Sequence, residues 1–269
     1  MEQFSGAIQS AYKEHECPRH IHEALGRLIE SKVPEIDGYL LSPVSTLPSK
    51  IADILQLGTR RTIDLTESSI REINREQVIS SCLLVRGVLE TACLMWDLTR
   101  RATKDVRAGT DLTYLNTKAA NTLLGSGRKT KTFKFFENHV VQNILTIIQR
   151  LDKELDVPFE GFYEGLSEHA HPNAHGMVLV YAETHNACVT TYTDKKGARV
   201  TWPLSFALSS LASSLDIVEK ALEEWEEVKL DLILLAEKQI HERGTWPTDV
   251  PYPIPRRNDG SFLTTPTTS

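Results

Sequence analysis

The chain has 269 residues, a formal net charge of −6, 41% hydrophobic residues and 25% charged ones. These values exclude disordered and collagen-like chains, and the sparse aromatics, at 7%, favour a helical over an all-β core. The acidic balance carries no broad footprint for nucleic acid or an anionic membrane.

The opening Met1-Glu2-Gln3-Phe4 lacks the basic and apolar regions of a signal peptide. Cys17, Cys82, Cys93 and Cys188 lie far apart without a CxxC pair. Both features suit a cytoplasmic protein with reduced thiols. His15, Cys17, His20 and His22 crowd together, but structural zinc sites use two ligand pairs separated by a longer loop, so no metal is assigned. Proline is absent between Pro48 and Pro158 and again between Pro203 and Pro247, which permits long helices. The apolar spacing from Ile70 through Ile73, Val78, Cys82, Val85, Leu89, Cys93 and Trp96 predicts a helix over about Glu67 to Thr103. A shorter helix, about Leu112 to Leu124, ends at Gly125-Ser126-Gly127, and an exposed basic loop runs on to Lys134. That loop lacks the spacing of a phosphate-binding loop. Val140, Ile144, Ile147 and Leu151 predict a helix over about Glu137 to Leu155.

Ala187 to Trp202 reads as two β-prone runs around a turn ending in Gly197, a hairpin signal. Leu204, Leu208, Leu211, Leu215, Val218, Leu222 and Trp225 then follow heptad spacing, a seam for this chain's own bundle or for a homodimer. Glu223, Glu224, Glu226 and Glu227 read as the solvated face of that helix. The uncharged stretch Val200 to Leu215 holds serines and a proline, and no membrane-spanning helix is assigned. Residues 245–269 hold five of the twelve prolines and read as an irregular tail. The expected fold is mainly α, a helical bundle in one domain over 1–244 with one small β-hairpin near 187–202.

Two features carry polar chemistry. Between Leu83 and Trp96 the only charges are Arg86 and Glu90, four apart and hence on one helix face. Their apolar neighbours predict a substantially buried pair, either a functional site or a structural tie between helices. The second feature is Phe159 to Gly176, where Phe159, Phe162, Leu166 and His169 share a helical stripe. Pro172 disfavours helical geometry at His171, so the helix should end there. That end gathers Tyr163, Ser167, Glu168, His169, His171, Asn173 and His175 near a turn closed by Gly176. Histidine-x-histidine runs of metallo-β-lactamase-like hydrolases do not match, because Asn173 stands where an aspartate belongs and a helix precedes it.

Arg86-x-x-x-Glu90 followed by Tyr163-x-x-Leu166-Ser167-Glu168-x-x-His171-Pro172-Asn173 resembles an uncharacterised bacterial family with the same two motifs. The resemblance spans about Ile70 to Leu235 and implies a site without an established reaction. More distantly the architecture is similar to HEPN helical bundles, several of which are ribonucleases of defence and toxin systems. Those enzymes place a histidine four to six residues after an arginine, and no arginine of this chain has one there. The enzyme reading is then a split site that is not inherited from those nucleases. His171 would be the acid/base, Arg86 would meet phosphate charge, and Glu90, Ser167 and Asn173 would assist. Tyr163, Glu168, His169 and His175 would bind the ligand. The partner would be a nucleotide or RNA and the cofactor is not specified. The alternative is a non-enzymatic ligand- or partner-binding module, including a dimerising accessory protein built on the Leu204–Trp225 helix.

Overall fold

The computed structural model describes residues 1–12, 16–124, 142–186, 189–192 and 197–243. It is a mainly α protein whose described strands form one two-stranded antiparallel hairpin. The helices are α1 (Gly6–Ala11), α2 (Cys17–Glu30), α3 (Gly38–Leu41), α4 (Leu47–Asn74), α5 (Val78–Ala108) and α6 (Thr113–Leu124), followed by α7 (Ile144–Leu155) and α8 (Phe159–Ala170). A π-helical turn, Ala174–Val178, leads into the short α9 (Leu179–Tyr181), then β1 (Ala182–Asn186), β2 (Val189–Tyr192) and α10 (Thr201–Arg243). Where the sequence reads as one domain, the chain falls into two compact units. Unit one takes residues 1–32, 58–93 and 144–220; unit two takes 33–57, 94–143 and 221–269. Each unit is assembled from three separated stretches, a division that no linker composition marks. The basic loop, the start of the predicted 137–155 helix and the 245–269 tail lie outside the described residues, as do His15 and Cys188.

The predicted 67–103 helix is two helices. Glu76 takes left-handed geometry with φ 55°, while the Glu76 N–H donates to the Ile73 carbonyl and the Gln77 N–H to that of Glu72, both at 2.9 Å. This paired closure ends α4 in a Schellman turn. The first turns of α4 bury Leu47, Ile51, Ile54 and Leu55, and the stripe then continues as Thr59, Thr62, Thr66 and Ser69, all fully buried, where a hydrophobic count loses it.

In unit one, α2 is fastened along α10. Arg27 donates to both Glu219 oxygens at 2.7 and 2.9 Å, which raises the Arg27 pKa further. His20 Nε2 lies 2.6 Å from Asp216. The seam residues Leu204, Leu208, Leu211, Leu215 and Val218 are buried within the single chain. The hairpin sits earlier than expected, at 182–192, with Ala182 opposite Tyr192. The predicted second strand is instead a 3-10 turn, Gly197–Val200, and the first turn of α10. Pro203 suits that first turn, where its missing N–H removes no helical bond.

Unit two holds most of the buried charge. Lys118 pairs with Asp97 and also donates to Gln142 at 3.0 Å. Glu224 turns inward to Arg100 at 3.4 Å, so the acidic run of α10 is not wholly a solvated face. Gln239 joins the α5–α6 connection to α10, accepting from the Leu112 N–H at 3.0 Å and donating to the Thr110 carbonyl at 2.8 Å. Lys50 is buried and donates to Asn116 Oδ1 at 2.9 Å; desolvation lowers its pKa from 10.5 to about 8. A lysine lowered in the folded state binds fewer protons there than when unfolded, between those two values. Its contribution to stability therefore rises with pH from about 8 to about 10.5. Urea midpoints at pH 7.5 and 10 should show this gain, and Lys50→Met should remove it. An identical pH response in both proteins would refute the assignment.

Among the described residues α5 is long and apolar enough, by length and composition, to cross a membrane. The arrangement is that of a core helix, because 56% of its most apolar stretch is buried in the protein. Cys17, Cys82 and Cys93 are in no disulfide, and burial pushes the Cys82 thiol up to about 12.

Candidate functional site

All the sequence-derived site residues fall in unit one. Arg86 and Glu90 stand one turn apart on α5, and Arg86 Nε donates to Glu90 Oε1 at 3.0 Å. Arg86 Nη2 donates to the Tyr163 hydroxyl on α8 at 2.6 Å, and its guanidinium carbon lies 4.6 Å from the Tyr163 ring centroid. The guanidinium is thus held by an ion pair, a hydrogen bond and a cation–π contact. Expectation and structure differ on burial: the side chains are 26% and 34% exposed. The reason is rotational. Leu83, at 50% exposure, shares the outward face of α5 with the pair, while the apolar residues that suggested burial, such as Val85, Val88 and Leu89, turn to the core. Water reaches the pair, so it costs little desolvation and stabilises the fold by no more than about 1 kcal/mol.

The second motif ends as Pro172 requires: α8 stops at Ala170 and His171 caps it in extended geometry, φ −85° and ψ 150°. His169 is buried; its Nδ1–H donates to the Gly165 carbonyl at 2.9 Å and its ring faces Trp202 at 5.6 Å. It is a packing residue rather than an open ligand contact. Ser167 Oγ donates to the Tyr163 carbonyl at 2.6 Å, so its proton is engaged by the helix backbone. Asn173 builds the turn, donating to Glu168 at 2.7 Å and accepting from the Gly176 N–H at 3.0 Å. His175 Nδ1 lies 3.5 Å from Glu168. His171 is exposed and its ring has no hydrogen-bond partner among the described residues.

The residues therefore form two clusters, Arg86–Glu90–Tyr163 and the 167–176 turn. Tyr163 and His171 are eight positions apart along α8, about 12 Å of helix rise. The structure does not bring His171 to Arg86.

One residue the sequence reading missed belongs beside the first cluster. Arg61 of α4 donates from Nε to Thr91 Oγ1 at 3.2 Å, and Thr91 in turn donates to the Gly87 carbonyl at 2.7 Å. Only the packing of α4 on α5 reveals it, because nothing in the spacing of Arg61 distinguishes it from a surface charge. Among the described residues no group of three or more His, Cys, Asp or Glu is placed to hold a metal. No protein-family model, curated protein or solved structure matches the chain.

Proposed function

We propose that this chain is a helical ligand-binding module whose receptor is Arg86, and that its ligand carries a phosphate, as a nucleotide or RNA does. The observation that carries this reading is the fixed guanidinium. Nε and Nη2 are committed to Glu90 and Tyr163, while Nη1 makes no hydrogen bond among the described residues and the side chain is 26% exposed. Those donors can meet a phosphate oxygen by charge-assisted hydrogen bonds, and a guanidinium already fixed loses little entropy on binding. Binding is preferred to catalysis because proton transfer requires a group within hydrogen-bond reach of the reacting atom. His171 is too far along α8 to supply it to a ligand on Arg86.

The test is calorimetric titration of the full chain with inorganic phosphate and adenosine monophosphate. Arg86→Gln should weaken both about tenfold or more, the equivalent of one charge-assisted hydrogen bond. Tyr163→Phe, which releases one anchor of the guanidinium, should weaken them by a smaller factor. Unchanged affinity in Arg86→Gln would overturn the reading. RNA cleavage that His171→Ala abolishes would establish the enzyme instead.

A further inference from the structure

Arg61 and Arg86 share an architecture. Each is anchored through Nε, and the two anchors, Glu90 and Thr91, are consecutive residues of α5. Arg61 is exposed and makes no ion pair among the described residues, so its Nη donors are uncommitted. Its Nη2 comes within 3.9 Å of where a Cβ on Gly87 would stand, which lays the guanidinium across the outward face of α5. That face presents the exposed Leu83 and the second oxygen of Glu90, while Leu65 of α4 covers Gly87, its Cδ1 3.1 Å from where a Cβ would stand. This stretch of α5 thus carries two guanidiniums, a carboxylate acceptor for a hydroxyl and an apolar seat.

The walls have the opposite sign. Glu160, Glu164 and Glu168 follow four-residue spacing along α8 and form a column beside Tyr163. Asp64 is exposed one turn beyond Arg61 on α4, and the whole chain carries a net charge of −6. A polynucleotide needs a run of basic contacts for its successive phosphates, whereas here two short-range forks are flanked by carboxylates. A compact ligand fits between those walls.

We propose that Arg61 is the second half of the receptor and that the ligand is a single phosphate monoester on a small hydroxyl-bearing molecule, the chemistry of a mononucleotide. This rests on the reading of Arg86 given above and narrows it. The phosphate sits between the two guanidiniums, a sugar hydroxyl donates to Glu90, and the remainder lies over Leu83.

Titration of the full chain with adenosine monophosphate, inorganic phosphate, adenosine and a 20-nucleotide single-stranded RNA tests this. Adenosine monophosphate should bind more tightly than phosphate, adenosine or the RNA. Arg61→Gln should weaken it about tenfold with an unchanged circular dichroism spectrum. If Arg61→Gln does not fold, Thr91→Val frees the Arg61 anchor without touching its charge and should weaken binding severalfold. Full affinity in the Arg61 or Thr91 variant, with loss in Arg86→Gln, would overturn the role of Arg61 and leave that of Arg86 standing. Tighter binding of the RNA would overturn the ligand class. No binding of either phosphate compound to the wild type would overturn both readings.

Discussion

Asp97→Ala should lower the stability of the fold by about 3–5 kcal/mol, the cost of stranding one member of a buried ion pair. Asp97 and Lys118 are only 3% and 7% exposed. Removing the carboxylate leaves the Lys118 ammonium with the Gln142 amide oxygen, a dipole in place of a charge. Replacing both together, Asp97→Leu with Lys118→Met, should recover most of the loss, because the pair's attraction is largely offset by its desolvation. Urea denaturation of the three variants measures this directly. A loss below about 1 kcal/mol in Asp97→Ala would mean that Lys118 reaches water when its partner is removed. No sequence spacing announces the pair, since Asp97 and Lys118 lie on α5 and α6 and meet only once those helices pack.

Where hydrophobic period and proline punctuation agree, the elements were legible: α6, the body of α7, the end of α8 at Pro172 and the buried seam of α10. Two kinds of element were not. The middle of α4 buries Thr59, Thr62, Thr66 and Ser69, residues that a hydrophobic count treats as exposed although they pack as small side chains within a helix bundle. The break between α4 and α5 depends on Glu76 adopting a left-handed conformation that its side chain does not advertise. The hairpin illustrates a competition. Ala198 to Trp202 has β-prone composition, but a 3-10 turn and α10 claim that stretch, and β2 pairs instead with the preceding run.

The site divides along the same line. Arg86 and Glu90 were legible because a four-residue spacing on one helix is a contact that sequence alone dictates. Tyr163 was legible as a polar residue near the second motif, but its bond to Arg86 joins α5 to α8 and depends on packing. His171 shows the opposite error. Local signals identify a helix-capping histidine well, yet they say nothing about its distance from an arginine on another helix. Density of polar residues along the sequence marked the 167–176 segment, and much of that polarity builds the turn itself. Ser167, Asn173 and His169 each satisfy a nearby backbone group.

Gly176→Ala should destabilise the protein by about 3 kcal/mol, at the upper end for forcing atoms into a packed site. A Cβ at this position would stand 2.1 Å from the His171 carbonyl oxygen and 2.8 Å from that of His169. Both are backbone atoms, so no side chain can swing aside, and the segment from His171 to Gly176 must open. Opening breaks the bond from the Gly176 N–H to Asn173 and disturbs the contact between His169 and His175, whose ring centroids are 5.8 Å apart. Trp202 lies against His169 and should report the change as a shift in tryptophan emission, alongside a lowered urea midpoint. The Arg86 cluster lies about two helical turns away along α8, so ligand affinity in the folded fraction should stay within about twofold of wild type. That separation is what distinguishes two clusters from one extended site. An unaltered midpoint would refute the tight closure, and a large loss of affinity at full folding would join the turn to the receptor.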